Sequence, residues 1–579
     1  MRVPRHVLVA TIIPLATLAL YIYGATVTPP GKSYTWMHAL NTGDPHAYLS
    51  WVAQARDGDL LFRVLFTEEP CEARLFHPLF LAMGLAARAT SLPLMAVFHA
   101  SRILLGAILL LLLARFFEQR AASRGAGFFA LLYAALGSGL GWILVRPDAT
   151  AMNLPVDLWM PEAILFLTIL ESPLNLAALI AAVLLIDRLC PAGAPAPAPA
   201  AAPHERRLRR YVFPLLLTLF LGFTHPFEVI SVAAVVATTA VLVGIRRGSA
   251  PAPALPPAAA GRARGGLVLG FSAPSLVAFV AGAGIAALTI QVALRGEPVF
   301  AHWLSVVRSP SPAPRLYLLA FAPQLALALL AVPRRWARGG TSDLLPLAWV
   351  LATALLLYAP LAQQRRFVAG VQIPLSLLAA EGLCVVLPAL VGRVRRAQPL
   401  LAFARGRRAA LAALFLIASF GTNARVIAAD VAFLRAGAYP LYLERDLTAA
   451  LRDFESRSPR GALLLASPEV SHFVPALTGR RATMGHYDMT IDPARKAERL
   501  AAFLDPMRPP EARRALLDGA GITHVLVSPY EAAFAGRDPA PLASRDALEF
   551  LGPGANRLGL SPISRAGPVT LFEVLPSGR

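Results

Sequence analysis

Long apolar runs separated by short polar segments dominate this chain. A transmembrane helix needs about 20 consecutive apolar residues. We predict about eleven such helices, at residues 7–28, 93–114, 125–145, 172–189, 211–224, 227–245, 267–293, 315–332, 343–361, 368–390 and 409–427. The apolar segment 76–90 is shorter and is followed by Pro93, which favours a re-entrant or interfacial helix. The pattern predicts an α-helical polytopic membrane protein.

After about residue 430 the pattern changes to mixed polar and apolar positions. Amphipathic helices are predicted at residues 446–456, 494–504 and 510–519, and short β-strands at Leu463–Ala466, His524–Ser528 and Val569–Val574. Alternating elements over roughly 150 residues are typical of a small α/β domain. We therefore predict a transmembrane module over residues 1–429, with a first outer loop at 29–75, and an extracytoplasmic α/β domain over residues 430–579.

Composition and charge agree with a membrane protein. Of 579 residues, 56% are hydrophobic and 15% charged, which excludes an ordinary soluble enzyme. The net charge of +20 arises from arginines clustered in alternate loops: Arg2 and Arg5; Arg115, Arg120 and Arg124; Arg206, Arg207, Arg209 and Arg210; Arg246 and Arg247; Arg334, Arg335 and Arg338; and residues 393–408. This positive-inside pattern predicts a cytoplasmic N-terminus and an outer C-terminal region, and it explains the charge without nucleic acid.

Three further features of the chain carry no predicted chemistry. Segment 7–28 is long and lacks the usual small-residue cleavage site, so we expect a retained first span rather than a signal peptide. Cys71, Cys190 and Cys384 fall in different predicted layers, which indicates neither a disulfide framework nor a thiolate metal site. The Ala/Pro-rich tracts Pro191–Pro203 and 249–260 are predicted to be flexible connectors.

The loop after the first span offers the leading candidate for chemistry. It contains the run Asn41-Thr42-Gly43-Asp44-Pro45-His46-Ala47-Tyr48, and further along the acidic pair Glu68-Glu69. A carboxylate fixed where a membrane helix ends can act as a general base on a substrate held at the lipid surface. The alternative is a solvated loop between two helices.

A second candidate is the run Gln363-Gln364-Arg365-Arg366-Phe367. The predicted topology puts this arginine pair on the outer side, against the positive-inside bias of the other loops. A planar guanidinium binds phosphate bidentately, so a polyprenyl phosphate headgroup fits this position. Phospholipid anchoring, or an error of one in the span count, would also account for the pair.

Other polar groups lie within or beside apolar runs. Arg102, Glu162, His225 and Glu228 are ionisable groups of this kind, and such groups usually face a cavity or pair with one another. A structural pair of Arg102 with Glu162 or Glu228 is the alternative to a binding role. In the predicted outer domain, the run Gly485-His486-Tyr487 stands in a Gly- and Pro-rich region of the kind found at functional edges.

Metal ligation is left open by the sequence. His38, His46 and Asp44 are ligand types that divalent cations accept, but their spacing matches no strong metal motif. We therefore assign no metal ligand, although Mg²⁺ or Mn²⁺ would be the expected ion.

These segments together resemble the GT-C superfamily of integral-membrane glycosyltransferases, in particular a bacterial polytopic group that uses lipid-linked sugar donors. The resemblance rests on Gly43–Tyr48 after the first span, Thr224-His225-Pro226-Phe227, Gln364-Arg365-Arg366-Phe367, and in the outer domain Ala466-Ser467-Pro468-Glu469, Pro475–Arg480 and Gly485-His486. It spans most of the chain. It implies the inner (plasma) membrane of a bacterial cell as the location.

The resemblance also implies a reaction and its residues. A sugar would move from a polyprenyl-phosphate donor to a glycan, lipid or protein acceptor at the outer face, in a single inverting displacement. Asp44 would be the general base, but the family's acidic dipeptide is here a single aspartate, so Glu68 and Glu69 stay as the alternative catalytic pair. The implied substrate-binding residues are His46, Tyr48, Arg102, Glu162, His225, Gln364, Arg365, Arg366 and His486.

Two other functions stay open at this point. A transporter or flippase of lipid-linked precursors would use Arg365 and Arg366 for the headgroup and do no chemistry. A non-catalytic membrane assembly subunit would instead bind a partner through residues 430–579.

Overall fold

The computed structural model describes residues 3–145, 151–192, 205, 207–248, 267–268, 270–391, 408–543 and 547–576. The chain forms two compact units. Unit 1 comprises Met1–Ala19, His99–Thr289 and Arg308–Ala429, and unit 2 comprises Leu20–Phe98, Ile290–Val307 and Asp430–Arg579. The predicted connector 249–260 lies outside the described residues, as does residue 193 onward of the other tract.

Most of the described chain up to residue 436 is helical. The α-helices are Arg5–Ala16, Leu18–Thr26, Gly43–Arg56, Pro78–Thr90, Leu94–Arg120, Arg124–Leu136, Leu165–Glu171, Pro173–Leu189, Phe213–Thr224, Pro226–Gly248, Ala273–Arg295, Pro298–Val306, Pro314–Ala320, Ala322–Arg338, Thr341–Leu356, Gln372–Glu381, Leu387–Val391, Arg408–Ser419 and Gly421–Ala436. Each predicted apolar span corresponds to one or two of these helices.

Six helical segments of the described chain are long and apolar enough to cross a membrane. They are Arg5–Thr26, Leu94–Arg120, Pro226–Gly248, Ala273–Arg295, Gln364–Leu390 and Ala412–Ala436. The pair Pro314–Ala320 and Ala322–Arg338, bent by 84°, would make a seventh. Several predicted spans fold as shorter apolar helices, such as Arg124–Leu136 and Thr341–Leu356. The protein is a multi-pass membrane protein, and the count of eleven is not confirmed.

The core of unit 1 is a continuous set of buried aliphatic and aromatic side chains. Leu113, Ala130, Leu185 and Ile373, from four different helices, are among those fully buried in it. Helix Pro173–Leu189 begins with a proline, and the Ser172 hydroxyl accepts a hydrogen bond from the Asn175 amide at 3.2 Å. Proline in the first turn costs no hydrogen bond, because the first helical amides have no partner within the helix.

A buried ionic cluster ties two helices of unit 1 together. Glu381 Oε2 lies 2.5 Å from Arg335 Nε, and both side chains are 1% exposed. The other carboxylate oxygen, Oε1, lies 2.9 Å from Arg334 Nε. Arg335 also donates to the Arg120 carbonyl at 3.0 Å. Ionisable groups buried this deeply persist only when paired, so the cluster is structural.

Replacing Glu381 tests that assignment. We expect Glu381→Gln to lower the free energy of unfolding by about 3–5 kcal/mol, because the buried Arg335 charge would lose its carboxylate partner at 2.5 Å and keep only Asp343 at 3.9 Å. The midpoint of thermal unfolding in detergent measures the effect. Glu118→Gln is the matched control, since Glu118 meets Arg124 only at 4.0 Å and both side chains are largely exposed. Equal midpoints for the two variants would contradict a structural role.

Unit 2 contains a five-stranded mixed sheet. In chain order its strands are Leu463–Leu465, Arg481–Ala482, His524–Val527, Leu560–Ala566 and Val569–Val574. The first strand pairs in parallel with the second and the third, and the last two add antiparallel pairings beside the third. The helices of the same region are Arg445–Arg457, Pro468–Ser471, Val474–Thr478, Pro493–Leu504, Pro510–Gly519, Pro529–Phe534, Ala540–Ala543 and Ala547–Leu551.

The sheet separates two apolar clusters of unit 2. Leu465, Phe503 and Phe572 are buried in one cluster, and Leu464 and Leu571 in the other. Adjacent residues of one strand therefore enter opposite clusters, as the two-residue period of a strand requires. The sheet is covered on both faces.

The first loop belongs to the same compact unit as the C-terminal region. Strand Lys32–Tyr34 pairs antiparallel with strand Tyr442–Glu444, and the Thr490 hydroxyl donates to the Phe66 carbonyl at 3.0 Å. The predicted boundary after residue 429 coincides with a division between the units, but unit 2 also takes in Leu20–Phe98 and Ile290–Val307. Backbone pairing over such a sequence separation has no local signal.

Candidate functional site

Asp44 lies in the first turn of helix Gly43–Arg56, which we call the first-loop helix. A carboxylate in the first turn is stabilised by the unpaired backbone amides and by the helix dipole. The helix packs firmly: Trp51, Val52 and Ala53 are buried. A buried helix therefore fixes the position of the acid that the sequence singled out.

Two neutral side chains of unit 2 hold the Asp44 carboxylate. Asn41 Nδ2 donates to Oδ2 at 3.1 Å, while the Asp44 amide donates to Asn41 Oδ1 at 3.3 Å. The Tyr487 hydroxyl donates to Oδ1 at 3.0 Å. One donor contacts each carboxylate oxygen, so the two contacts together orient the group.

Three histidines of unit 2 pack behind this carboxylate. The His46 and His472 ring centroids are 4.1 Å apart, and His472 and His486 are 6.5 Å apart. Nδ1 of His46 donates to the Thr42 carbonyl, and Nδ1 of His472 donates to the Gly485 carbonyl at 3.0 Å. Burial lowers the pKa of His46 well below its usual value, lowers that of His472, and lowers that of His486 to about 4. At neutral pH the cluster is therefore uncharged.

The Tyr48 side chain packs against other aromatic rings. Its ring lies 5.1 Å from the Phe80 ring in a stacked arrangement and 6.4 Å from Trp51. Phe80 and Trp51 are buried, and Tyr48 is partly exposed. Its predicted substrate-binding role stays a prediction.

Glu68 and Glu69 form ion pairs within unit 2. Glu68 pairs with Arg499, and the Glu69 carboxylate lies 2.6 Å from Lys496 Nζ and also accepts from the Thr67 hydroxyl. Burial alone would raise the pKa of Glu69, but the hydrogen bonds from Lys496 and Thr67 outweigh it and hold the pKa below 4.5. A carboxylate stabilised this way is a poor proton acceptor.

The Glu69 pair is expected to matter for stability. Lys496 Nζ is fully buried, so Glu69→Gln should lower the free energy of unfolding by about 2–4 kcal/mol at pH 7. Because the folded-state pKa is depressed, this contribution is full above about pH 4.5 and is lost as the pH falls through the lower folded value. Denaturant unfolding of wild type and variant across this pH range measures it. Glu511→Gln is the control, since Glu511 and its partner Arg557 are both exposed. If the difference in unfolding free energy between wild type and Glu69→Gln does not become smaller in acid, the assignment is contradicted.

The predicted arginine pair belongs to unit 1, where its two members have different environments. Arg366 Nη1 lies 2.8 Å from Glu162 Oε1, and both side chains are mostly buried. The Arg365 guanidinium lies 5.2 Å from the centre of the Trp159 ring, at cation–π distance. Gln364 accepts from the Ser311 amide at 3.2 Å and donates to the Ala359 carbonyl at 2.8 Å, which fixes the turn that presents both arginines.

Arg102 and His225 are both buried in unit 1. Arg102 Nη1 donates to the Thr17 hydroxyl and to the Ile169 carbonyl, each at 2.6 Å. The structure thus gives Arg102 hydroxyl and backbone partners, and it gives Glu162 to Arg366, rather than the Arg102–Glu162 pair considered from the sequence. His225 follows helix Phe213–Thr224, and its ring meets the Phe227 edge at 5.8 Å.

Asp157 is a buried acid of unit 1 that the sequence analysis did not single out. Its Oδ2 accepts from the amides of Gly139 and Gly141 at 3.0 and 3.1 Å. A Cβ on Gly141 would lie 2.4 Å from Oδ1, so glycine is needed for this close approach. Burial raises the Asp157 pKa to about 6. The only sequence signal is an acid between two apolar residues of a Pro-containing loop.

Metal binding and the remaining site residues stay predictions. In the described ranges, no group of three or more His, Cys, Asp or Glu side chains is arranged to hold a metal ion. Asp44, His46 and His486 are close together in unit 2, whereas Glu162, Arg365 and Arg366 are grouped in unit 1. Tyr487, Asn41 and His472 join the first group as residues that were not assigned from the sequence.

Comparison with known proteins identifies the fold. No family model and no curated protein sequence matches the chain. The oligosaccharyltransferase of Archaeoglobus fulgidus, solved with a tethered acceptor peptide, matches 92% of this chain and 71% of its own, at 14% identity and TM-score 0.50. ArnT from Cupriavidus metallidurans, solved with undecaprenyl phosphate, matches 98% of both chains at 12% identity and TM-score 0.50. The chain therefore shares the fold of these two proteins.

Proposed function

We propose that this protein is a membrane glycosyltransferase that moves a sugar from a polyprenyl-phosphate donor to an acceptor hydroxyl. The observation that carries the proposal is the Asp44 carboxylate, held by the Asn41 amide and the Tyr487 hydroxyl in the first turn of a buried helix. A general base needs a fixed orientation, and these two contacts, one to each carboxylate oxygen, supply it. The shared fold supports the reaction class.

The structure favours Asp44 over the acidic pair as the base. Glu68 is neutralised by Arg499, and Glu69 by the buried Lys496. Removing a proton from an acceptor with either group would require breaking a strong ion pair first. The Asn41 amide and the Tyr487 hydroxyl that donate to Asp44 are both neutral.

Arg365 is the proposed ligand of the donor phosphate. Its neighbour Arg366 is paired with Glu162, whereas the Arg365 guanidinium lies 5.2 Å from the centre of the Trp159 ring. A guanidinium presents its donors in a planar fork that matches phosphate bidentately. ArnT, whose fold this chain shares, binds undecaprenyl phosphate, which supports the same class of donor here.

The proposed reaction is a single displacement. The acceptor oxygen attacks the anomeric carbon, Asp44 takes the proton from the acceptor hydroxyl, and the bond from the anomeric carbon to the phosphate oxygen breaks. The leaving polyprenyl phosphate takes up the additional negative charge, which a cationic side chain at the phosphate would stabilise. Because one displacement occurs at the anomeric carbon, the configuration inverts.

We place the reaction at the outer face of the bacterial plasma membrane. The support is the distribution of arginines between alternate loops, which assigns the N-terminus to the cytoplasm and residues 430–579 to the outside. A glycan, lipid or protein can supply the acceptor hydroxyl.

The proposal is tested with purified protein in nanodiscs. The assay supplies a radiolabelled polyprenyl-phosphate sugar and an envelope extract as the acceptor mixture. We expect labelled sugar in a glycosidic bond and one released polyprenyl phosphate per transfer. Movement of intact donor across a vesicle bilayer, without any glycosidic bond formed, would instead identify a flippase.

A further inference from the structure

We infer that Tyr487 is a positioning residue that orients the Asp44 carboxylate for acceptor deprotonation. This inference rests on the proposed function. Its hydroxyl donates to Asp44 Oδ1 at 3.0 Å, from a position 443 residues further along the chain. Asn41 holds the other oxygen, Oδ2, at 3.1 Å. Rotation of the carboxylate about its bond to Cβ would break both contacts, so the two donors together fix its plane.

The exposure of Tyr487 argues against a packing role. The side chain is 66% exposed, although it belongs to the compact C-terminal region of unit 2. Its ring stacks on His486 at 4.4 Å with an interplanar angle of 20°, and His486 itself is 3% exposed. The buried imidazole therefore supports one face of the phenol ring, while the other parts of the ring contribute little apolar burial.

Gly43 provides the space that this ring occupies. A Cβ built on Gly43 would lie 2.9 Å from Tyr487 Cε1. The backbone at Gly43 does not require glycine, since the residue belongs to the first-loop helix. Because Gly43 has no side chain, the Tyr487 ring can come close enough for its hydroxyl to contact Asp44.

The chemistry of the contact predicts what its loss does. A phenol that donates to a carboxylate stabilises the charged form, as does any hydrogen bond to an anion. Removing the hydroxyl should reduce the fraction of correctly oriented, ionised Asp44 at a given pH. Titratable groups near this carboxylate include Tyr487 and His486, with His472 packed near His486 and His46 packed against His472. Burial lowers the pKa of all three histidines below the usual 6.5, so they are neutral at pH 7.

Tyr487→Phe tests the inference in the transfer assay. We expect kcat to fall about tenfold with KM changed less than twofold, and the acidic limb of the pH–kcat profile to move up by about half to one pH unit. Tyr439→Phe is the matched control, because Tyr439 is 39% exposed and its hydroxyl donates to a backbone carbonyl, that of Glu469, at 3.4 Å. Unchanged kcat and pH profile in Tyr487→Phe, with wild-type enzyme active, would overturn the inference.

Two further variants separate a positioning role from a structural one. Gly43→Ala should displace the exposed ring and reproduce the Tyr487→Phe phenotype with the hydroxyl retained. In an Asp44→Asn background, Tyr487→Phe should have no additional effect, because the carboxylate it orients is absent. Additive losses would overturn the inference. An inactive wild type, or full activity of Asp44→Asn, would refute the proposed function itself, so the two failures are distinguishable.

Discussion

Asp44→Asn is expected to lower kcat for sugar transfer by about 10²–10⁴-fold, the range that general-base catalysis contributes. The asparagine side chain has the same shape but takes up no proton. The fold should persist, because the Tyr487 hydroxyl can reverse its hydrogen bond and the Asn41 amide can still donate to the new carbonyl oxygen. Initial rates of polyprenyl-phosphate release, with thermal unfolding recorded alongside, measure both quantities.

Asp59→Asn is the control for this variant. Asp59 belongs to the same loop, and its carboxylate lies 3.7 Å from Arg460 with a third of the side chain exposed. We expect it to keep wild-type kcat. The alternative base is tested by Glu68→Gln and Glu69→Gln, which should lose stability but keep kcat in the folded fraction. Full activity of Asp44→Asn together with loss of activity in stable Glu68→Gln would reverse the assignment.

Arg365→Gln should lower kcat/KM for the polyprenyl-phosphate donor by about 10²–10³-fold, comparable to losing one preorganised donor at a developing charge. Arg365→Lys keeps the charge but loses the planar fork that lies 5.2 Å from the centre of the Trp159 ring, so an intermediate loss of roughly tenfold is expected. Steady-state rates at varied donor concentration measure both variants.

Arg315→Gln is the matched control, since Arg315 is an exposed arginine of the same unit. Its kcat/KM should equal that of wild type. If Arg365→Gln and Arg315→Gln behave alike, Arg365 serves as a general lipid anchor and not as the phosphate ligand. Arg366→Gln should in addition lower the stability of the protein, because Glu162 would lose its ion-pair partner.

The elements that could be predicted from the sequence are those with a clear local pattern of apolar and polar residues. Strand Val569–Val574 and helix Pro510–Gly519 both have the bounds that were predicted from the sequence. Strand Leu560–Ala566 was missed, because Pro562 and its serines give no apolar alternation and the register shifts between Pro562 and Ser564. Strand Arg481–Ala482 is too short to produce any period.

Some residues of the candidate site have a local sequence signal, and others are brought together only by the fold. Asp44 could be selected as a candidate because it is the first acid after the first apolar run, and Arg365 because it departs from the charge bias of the loops. Tyr487 was not, since its contact with Asp44 depends on how residues 443 positions apart pack. Glu69 and Lys496 are also far apart in sequence, so their ion pair could not be predicted. This ion pair is a reason why Glu69 is a weaker candidate for the base than Asp44.

The most direct test of the central claim is the anomeric configuration of the product made by the wild-type enzyme. A polyprenyl-phosphate sugar labelled with ¹³C at the anomeric carbon is incubated with enzyme and acceptor, and the one-bond carbon–proton coupling of the product is read by NMR. Single displacement with Asp44 as the base predicts a glycosidic bond of inverted configuration. Retained configuration, or labelled donor left without any new glycosidic bond, would contradict it.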